Sequence, residues 1–251
     1  RAAAQGRIAA LAGVENGIAI NNDLRMIGAF HRMGATRMVL TWRGNLPWAG
    51  SSQSDNPARG LNAFGREVVR EMNRLGMVVD LSHTSKQTSL DALEVSALPV
   101  IFSHSNASAL SPHARNVDDE LLRRLNANGG VIGVNFYDAF LRGPRRSVLS
   151  RSKPDVGVVL DHIDHIVRVA GIDHVGIGSD WDGGITPVRG LEDASKMPLL
   201  FKGMRQRGYS EADIRKVAGE NFLRVLEANE RGAVGEIPPP PKSRTPVDSG
   251  R

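Results

Sequence analysis

Short apolar runs rich in β-branched residues alternate with longer stretches of helical period through most of the chain, and this alternation constrains the fold more than any other feature. Strands are predicted over residues 8–14, 38–41, 77–81, 100–102, 131–136 and 175–177. Helices are predicted over 24–33, 63–75, 85–95, 118–128, 156–170, 192–207 and 210–230. Repeated strand–helix units dictate a parallel sheet with helical crossovers, because parallel neighbours cannot be joined by tight turns. Nearly continuous apolarity within each strand run predicts burial of both faces. Boundary residues agree. Ser85 is placed as a helix N-cap, and Gly34, Gly76, Gly129 and Gly171 follow helical runs where a left-handed residue ends a helix. Ser210-Glu-Ala-Asp213 reads as a capping box with Asp in the acidic position.

About six such units are visible, against the eight of a closed barrel. The expected fold is therefore α/β, a (β/α)8 TIM-type barrel lacking its first strands, over residues 1–230. Residues 1–5 read as the last turn of a helix leading into the first strand run. From Gly232 onward, Ile237-Pro-Pro-Pro-Pro241 and the polar residues after it cannot bury a core, so 231–251 are expected to be a disordered tail.

The chain has 251 residues and no cysteine, so disulfides and thiolate metal sites are excluded and any metal must sit on His, Asp, Glu or water. The net charge of +5 is scattered except around Arg142, Arg145, Arg146, Arg151 and Lys153, which with Gly143 and Pro144 read as a basic surface loop. No aromatic residues are interleaved there for base stacking, which argues against nucleic acid as a partner. No stretch approaches the ~20 consecutive apolar residues of a membrane span. Arg1-Ala-Ala-Ala-Gln-Gly-Arg7 has no apolar signal-peptide core. None of this assigns a compartment, and homo-oligomer formation is left open.

The polar residues that stand out share one location. Glu15, Asp80 with His83, His104, Asn135, and Asp180 with Asp182 all stand at the C-terminal ends of predicted strands. In a (β/α)8 barrel that rim holds the active site. His and carboxylate ligands from separate strands can converge on a cation such as Zn²⁺, and His83 and His104 on consecutive strands, beside Ser82 and Ser103, are the expected pair. His162 and His165 resemble a metal pair, but Ile163 and Ile166 interleave with them mid-helix, and a solvated helix face is the expectation. His31, His113 and His174 carry no supporting pattern.

Several long motifs resemble the membrane (renal) dipeptidase family of zinc peptidases: the run from Asn62 to His83, Pro99-Val-Ile-Phe-Ser-His-Ser-Asn106, Arg115-Asn-Val-Asp-Asp119, Gly176-Ile-Gly-Ser-Asp-Trp-Asp-Gly183 and Gly219-Glu-Asn-Phe-Leu-Arg-Val-Leu226. The resemblance spans roughly residues 8–230. It implies hydrolysis of dipeptides, many with a D-residue on the C-terminal side, with two zinc ions as cofactors. Glu15 resembles the carboxylate that bridges the two zincs, and His83 and His104 the remaining ligands of the second. Arg115 resembles the arginine that holds the substrate's carboxylate. Asp180 resembles the catalytic acid that receives its amino group, and Asn135 joins the substrate-binding set. The family's His-x-Asp motif, which supplies the other ligands of the first zinc, has no counterpart before Glu15. Trp42 stands in Leu40-Thr-Trp42 where the family usually has a histidine beside the scissile bond, and Asn16 stands where glycine is usual. A non-catalytic relative with a binding role is the alternative these departures favour.

Overall fold

The computed structural model describes residues 5–143 and 153–234, so most of the predicted basic loop and the Pro-rich tail from 235 lie outside the described residues. The six strands are β1 (Ala12–Glu15), β2 (Ala35–Val39), β3 (Val78–Asp80), β4 (Ile101–Ser105), β5 (Val131–Val134) and β6 (Val175–Ile177). They form one parallel sheet in the order β1-β2-β3-β4-β5-β6. Strictly sequential order is that of a (β/α) barrel, whereas a doubly wound sheet reverses at a switch point. The helices between and after them are α1 (Arg25–Arg32), α2 (Ala63–Leu75), α3 (Lys86–Val95), α4 (Asp119–Asn128), α5 (Asp138–Leu141), α6 (Val156–Ala170), α7 (Met197–Gln206), α8 (Glu211–Arg215) and α9 (Asn221–Gly232). A π-helical turn, Lys216–Glu220, joins α8 to α9.

Helix ends follow the predicted chemistry. Ser85 Oγ accepts the N–H of Thr88 at 3.0 Å, and the Ser210–Asp213 capping box is present. Gly76 and Gly129 are left-handed with φ of 74° and 80°. The predicted helix over 192–207 starts later, at Met197, because Pro198 lacks an N–H and fits only a first turn. The first strand also starts later than predicted. Ile8 is 98% exposed, and the ladder with β2 begins at Ala12, where a partner residue, Ala35, is first available. Apolarity alone does not make a strand without a neighbour to pair with.

Alternation along the strands divides the interior. Val79, Phe102 and Ile132 face outward into the main core with Val68 and Met72 of α2, Leu122 and Leu125 of α4, and Ile163 and Ile166 of α6. Val78, Ile101 and Val131 face inward and pack with Val225, Phe222 and Leu226 of α9. Three side chains fix α9 across the strands' N-terminal ends. Asn229 Nδ2 donates to Pro99 O (2.8 Å), Arg224 Nη1 to Gly129 O (2.7 Å) and Asn221 Nδ2 to Val175 O (2.8 Å). The opposite end of the sheet is left to the βα loops. No helix among the described residues is long and apolar enough to cross a membrane.

His162 and His165 correct an expectation. They are buried, His162 with 1% exposure, not a solvated face. His162 Nδ1 accepts the N–H of Ala107 at 3.1 Å. His165 bridges α4 and α6, with Nε2 2.7 Å from Asp119 Oδ1 and Nδ1 2.7 Å from Arg168 Nη2. Helix α6 carries its polar stripe at Asp161, Asp164 and Arg168, and the two imidazoles are buried because each finds a partner. Burial, followed by the charge of neighbouring His165, pushes His162 down to about 4. Since the unfolded chain keeps an ordinary value near ~6.5, acid protonates the unfolded state first. This contribution to stability is therefore complete above ~6.5 and is lost as pH falls towards 4. In His162→Gln, which keeps an acceptor for Ala107, urea midpoints measured at pH 7 and pH 5 are expected to differ less than in the parent.

Candidate metal centre

Each chemistry-bearing side chain is delivered by the C-terminal end of a strand or the loop that leaves it. Glu15 ends β1, His104 is the fourth residue of β4, and His83 follows β3 by three residues. His83 is left-handed (φ 69°), and its carbonyl is gripped by the N–H of Ser52 (2.8 Å) and by Ser51 Oγ (3.2 Å). That bend turns the imidazole back over the sheet. His83 Nε2 lies 2.9 Å from His104 Nε2, and Glu15 Oε1 lies 3.4 Å from the first and 3.8 Å from the second. Ligand atoms bonded at ~2.1 Å to a single ion can be at most ~4.2 Å apart, and all three separations meet that limit.

The electrostatics suit the geometry. Burial, reinforced by the Arg115 charge, pushes His104 down to about 3, and burial also lowers His83, so both imidazoles are neutral and offer lone pairs. The hydrogen bond from His83 holds Glu15 below the usual carboxylate range. An ionised carboxylate and two neutral imidazoles are the donor set that Zn²⁺ takes when thiolates are absent.

Beneath this cluster lies a residue to which the sequence reading gave no role. Asp80 is fully buried on the inward face, and Arg37 of β2 donates to its Oδ2 at 2.8 Å. Its Oδ1 accepts the backbone N–H groups of Ser82 and Ser103, both at 3.1 Å. Burial would raise its carboxyl, but the Arg37 charge and hydrogen bonding from Ser103 outweigh that and hold it low. The available signal was an Asp inside the apolar run Val78-Val-Asp-Leu81, since a charge buried in a strand requires a partner.

The remaining predicted residues surround the cluster. Arg115, in the loop after β4, is 3% exposed, donates to His104 O at 3.3 Å, and is lowered to about 10 by burial. Its Nε has no partner among the described residues. Asn135, just beyond β5, accepts the Tyr137 N–H through Oδ1 (2.6 Å), which turns its Nδ2 to donate to Asp180 Oδ2 at 3.0 Å. Burial raises Asp180, against the hydrogen bond from Asn135. Asp182 is exposed and takes no part. Trp42 is 40% exposed, its ring 6.4 Å from that of His83, and Asn16 adopts a positive φ of 101° with its side chain capping Ile18 N–H.

The family model of membrane dipeptidase (peptidase family M19) matches residues 1–235. The chain belongs to the membrane dipeptidase family. Among its relatives, the dipeptidase tcpJ of Claviceps purpurea is 42% identical over 232 residues, covering 92% of this chain and 53% of that protein. An uncharacterized dipeptidase of Schizosaccharomyces pombe is 43% identical over 229 residues, 90% of this chain and 54% of its own. This dipeptidase-family chain thus spans about half the length of the curated relatives it matches. The crystal structure of the probable dipeptidase PvdM from Pseudomonas aeruginosa superposes with a TM-score of 0.85 at 27% identity, covering 92% of this chain and 72% of that one. A Rhodobacter sphaeroides metallo peptidase liganded with a phosphinate mimic of the dipeptide L-Ala-D-Ala gives a TM-score of 0.79 at 34% identity, with 90% and 65% covered.

Within this family member, removing the Asp80 carboxylate leaves the N–H groups of Ser82 and Ser103 without their acceptor, while Arg37, whose side chain is 35% exposed, regains water. A buried donor left unsatisfied costs about 1–3 kcal/mol, and the loss here is about 2–4 kcal/mol. Asp80→Ala is expected to lose that much stability in metal-free denaturant unfolding, while Arg25→Ala, whose partner Asp23 sits on the surface, is expected to lose less than ~1 kcal/mol.

Proposed function

We propose that this chain carries the metal site and substrate grip of a zinc-dependent dipeptidase. The observation behind the reading is the convergence of Glu15, His83 and His104 at one end of the sheet, alongside buried Arg115 and partly buried Asp180. Glu15 Oε1 and the two Nε2 atoms would hold the ion, which when bound polarises a carbonyl and acidifies water. Arg115 is suited to a substrate carboxylate: its guanidinium is desolvated, its Nε is unpaired, and a planar donor meets a carboxylate in two places. Asp180, held in place by Asn135, receives the substrate's amino group and can carry a proton near the scissile bond. A site that grips both termini admits dipeptides and excludes longer or N-acylated peptides. The phosphinate-bound relative favours a D-residue on the C-terminal side.

One feature lowers the expected rate. Trp42 brings an indole, which cannot accept a hydrogen bond or transfer a proton, to the neighbourhood of His83. It also favours another reading, a metal-binding relative that does not turn over. Zinc titration and hydrolysis of D-Ala-terminated dipeptides, with and without a chelator, separate the two. The dipeptidase reading predicts tight zinc binding, weakened in His83→Ala, and slow turnover that the chelator abolishes. Trp42→His is expected to raise the rate by up to the ~10²–10³ commonly supplied by one transition-state hydrogen bond. Zinc binding without turnover selects the binding protein, and no zinc binding defeats both.

A further inference from the structure

A histidine can ligate through Nε2 only when the ring proton sits on Nδ1, and the tautomer is set by what Nδ1 meets. The two imidazoles of the cluster differ sharply here. His83 Nδ1 is buried with no partner among the described residues. His104 Nδ1 lies 2.7 Å from Ser103 Oγ.

The direction of that contact follows from where the Ser103 hydroxyl proton goes. Ser103 Oγ donates to Ser82 Oγ at 3.4 Å. Ser82 Oγ additionally accepts the His104 backbone N–H at 3.0 Å. The backbone N–H of Ser103 is fixed on Asp80 Oδ1, so the side chain has little freedom to turn away. With its one proton directed to Ser82, the Ser103 oxygen meets His104 as an acceptor. The opposite polarity would remove that donor from Ser82 and would place an N–H on the Nε2 that faces His83 and Glu15.

We propose that Ser103 is a positioning residue that locks His104 as the Nδ1–H tautomer, aiming the Nε2 lone pair into the cluster before any metal binds. The Nε2–H of His83 then points between His104 Nε2 at 2.9 Å and Glu15 Oε1 at 3.4 Å. The two histidines thus carry opposite tautomers in the metal-free chain. His104 is ready to ligate, and His83 must give up or move its proton. This rests on the reading of His104 as a zinc ligand only for its consequence, since the tautomer is measured without metal.

The test is long-range ¹H–¹⁵N NMR of the metal-free, ¹⁵N-histidine-labelled 251-residue chain, with His104 signals assigned by their absence in His104→Gln. Nδ1–H on His104 and Nε2–H on His83 are expected in the parent. In Ser103→Ala, His104 is expected to shift to Nε2–H or a mixture, and Zn²⁺ affinity measured by chelator competition to fall about 10–100-fold. Ser103→Thr, which keeps the hydroxyl, is expected to retain both properties. Nε2–H on His104 in the parent overturns the proposal, whether or not zinc binds. So does a Ser103→Ala chain that unfolds more easily but keeps the parent tautomer, because that is what a merely structural serine would give.

Discussion

Between β3 and β4 the ladder is reduced to one register pair, Asp80 with Ile101, and beyond it the carboxylate of Asp80 joins the bonds from Leu81 N–H to Ile101 O and from His104 N–H to Ser82 Oγ in holding the strands together. By accepting the N–H groups of Ser82 and Ser103, that carboxylate does for the diverging strand ends what backbone carbonyls do elsewhere in the sheet. Burying a charge so deeply is unfavourable unless it is paired and fully hydrogen-bonded, and Arg37 from the neighbouring β2 supplies the pair. One group therefore sets the relative position of β2, β3 and β4. His83 leaves the second of those elements and His104 belongs to the third, so their Nε2 separation is fixed from below. Crowding on the other flank reinforces this. A Cβ on Gly133 or Gly178 would stand 2.4 Å or 2.0 Å from the Ser103 carbonyl, so glycine is what lets β5 and the turn after β6 close against β4.

The inward face is consequently layered along the strand direction. Helix α9 plugs the N-terminal end with Phe222, Val225 and Leu226, the apolar layer of Val78, Ile101 and Val131 follows, then Arg37, Asp80 and Ser103, and finally the rim of ligand-type side chains. Stability is concentrated at one end and chemistry at the other. This division is what makes the (β/α) arrangement tolerant of changes at the rim, and it explains how Trp42 can stand beside His83 without disturbing the core.

Much of this was legible in the sequence because it depends on local pattern. The strand–helix alternation, the caps at Ser85 and Ser210, and the convergence of Glu15, His83 and His104 all follow from residue types at strand ends and helix boundaries. What was not legible depends on partners distant along the chain. Ile8 is apolar but unpaired. His162 and His165 look solvent-facing until Ala107, Asp119 and Arg168 are placed around them. Asp80 reads as one more polar strand end until Arg37, 43 residues earlier, is found to meet it. Each miss concerns a polar group whose burial is favourable only in company, and periodicity contains no information about company.

The rim itself breaks the local rules. His83, Asp180 and Asp182 adopt φ values of 69°, 64° and 63°, a region that glycine enters freely and other residues enter at a cost of roughly 1–2 kcal/mol each. Glycine at position 83 would relax the turn and delete an imidazole. At position 180 it would delete the carboxylate that Asn135 is turned to meet. The strain is tolerated because the surroundings over-determine it: Ser51 and Ser52 hold the His83 carbonyl, and Asn135 holds the Asp180 side chain. At Asp182, which is exposed and outside the cluster, nothing comparable is seen, and the tolerance of Asp for left-handed backbone is sufficient reason. The left-handed backbone at His83 and Asp180 is therefore held by a second element, whereas at Asp182 it does no more than turn the chain.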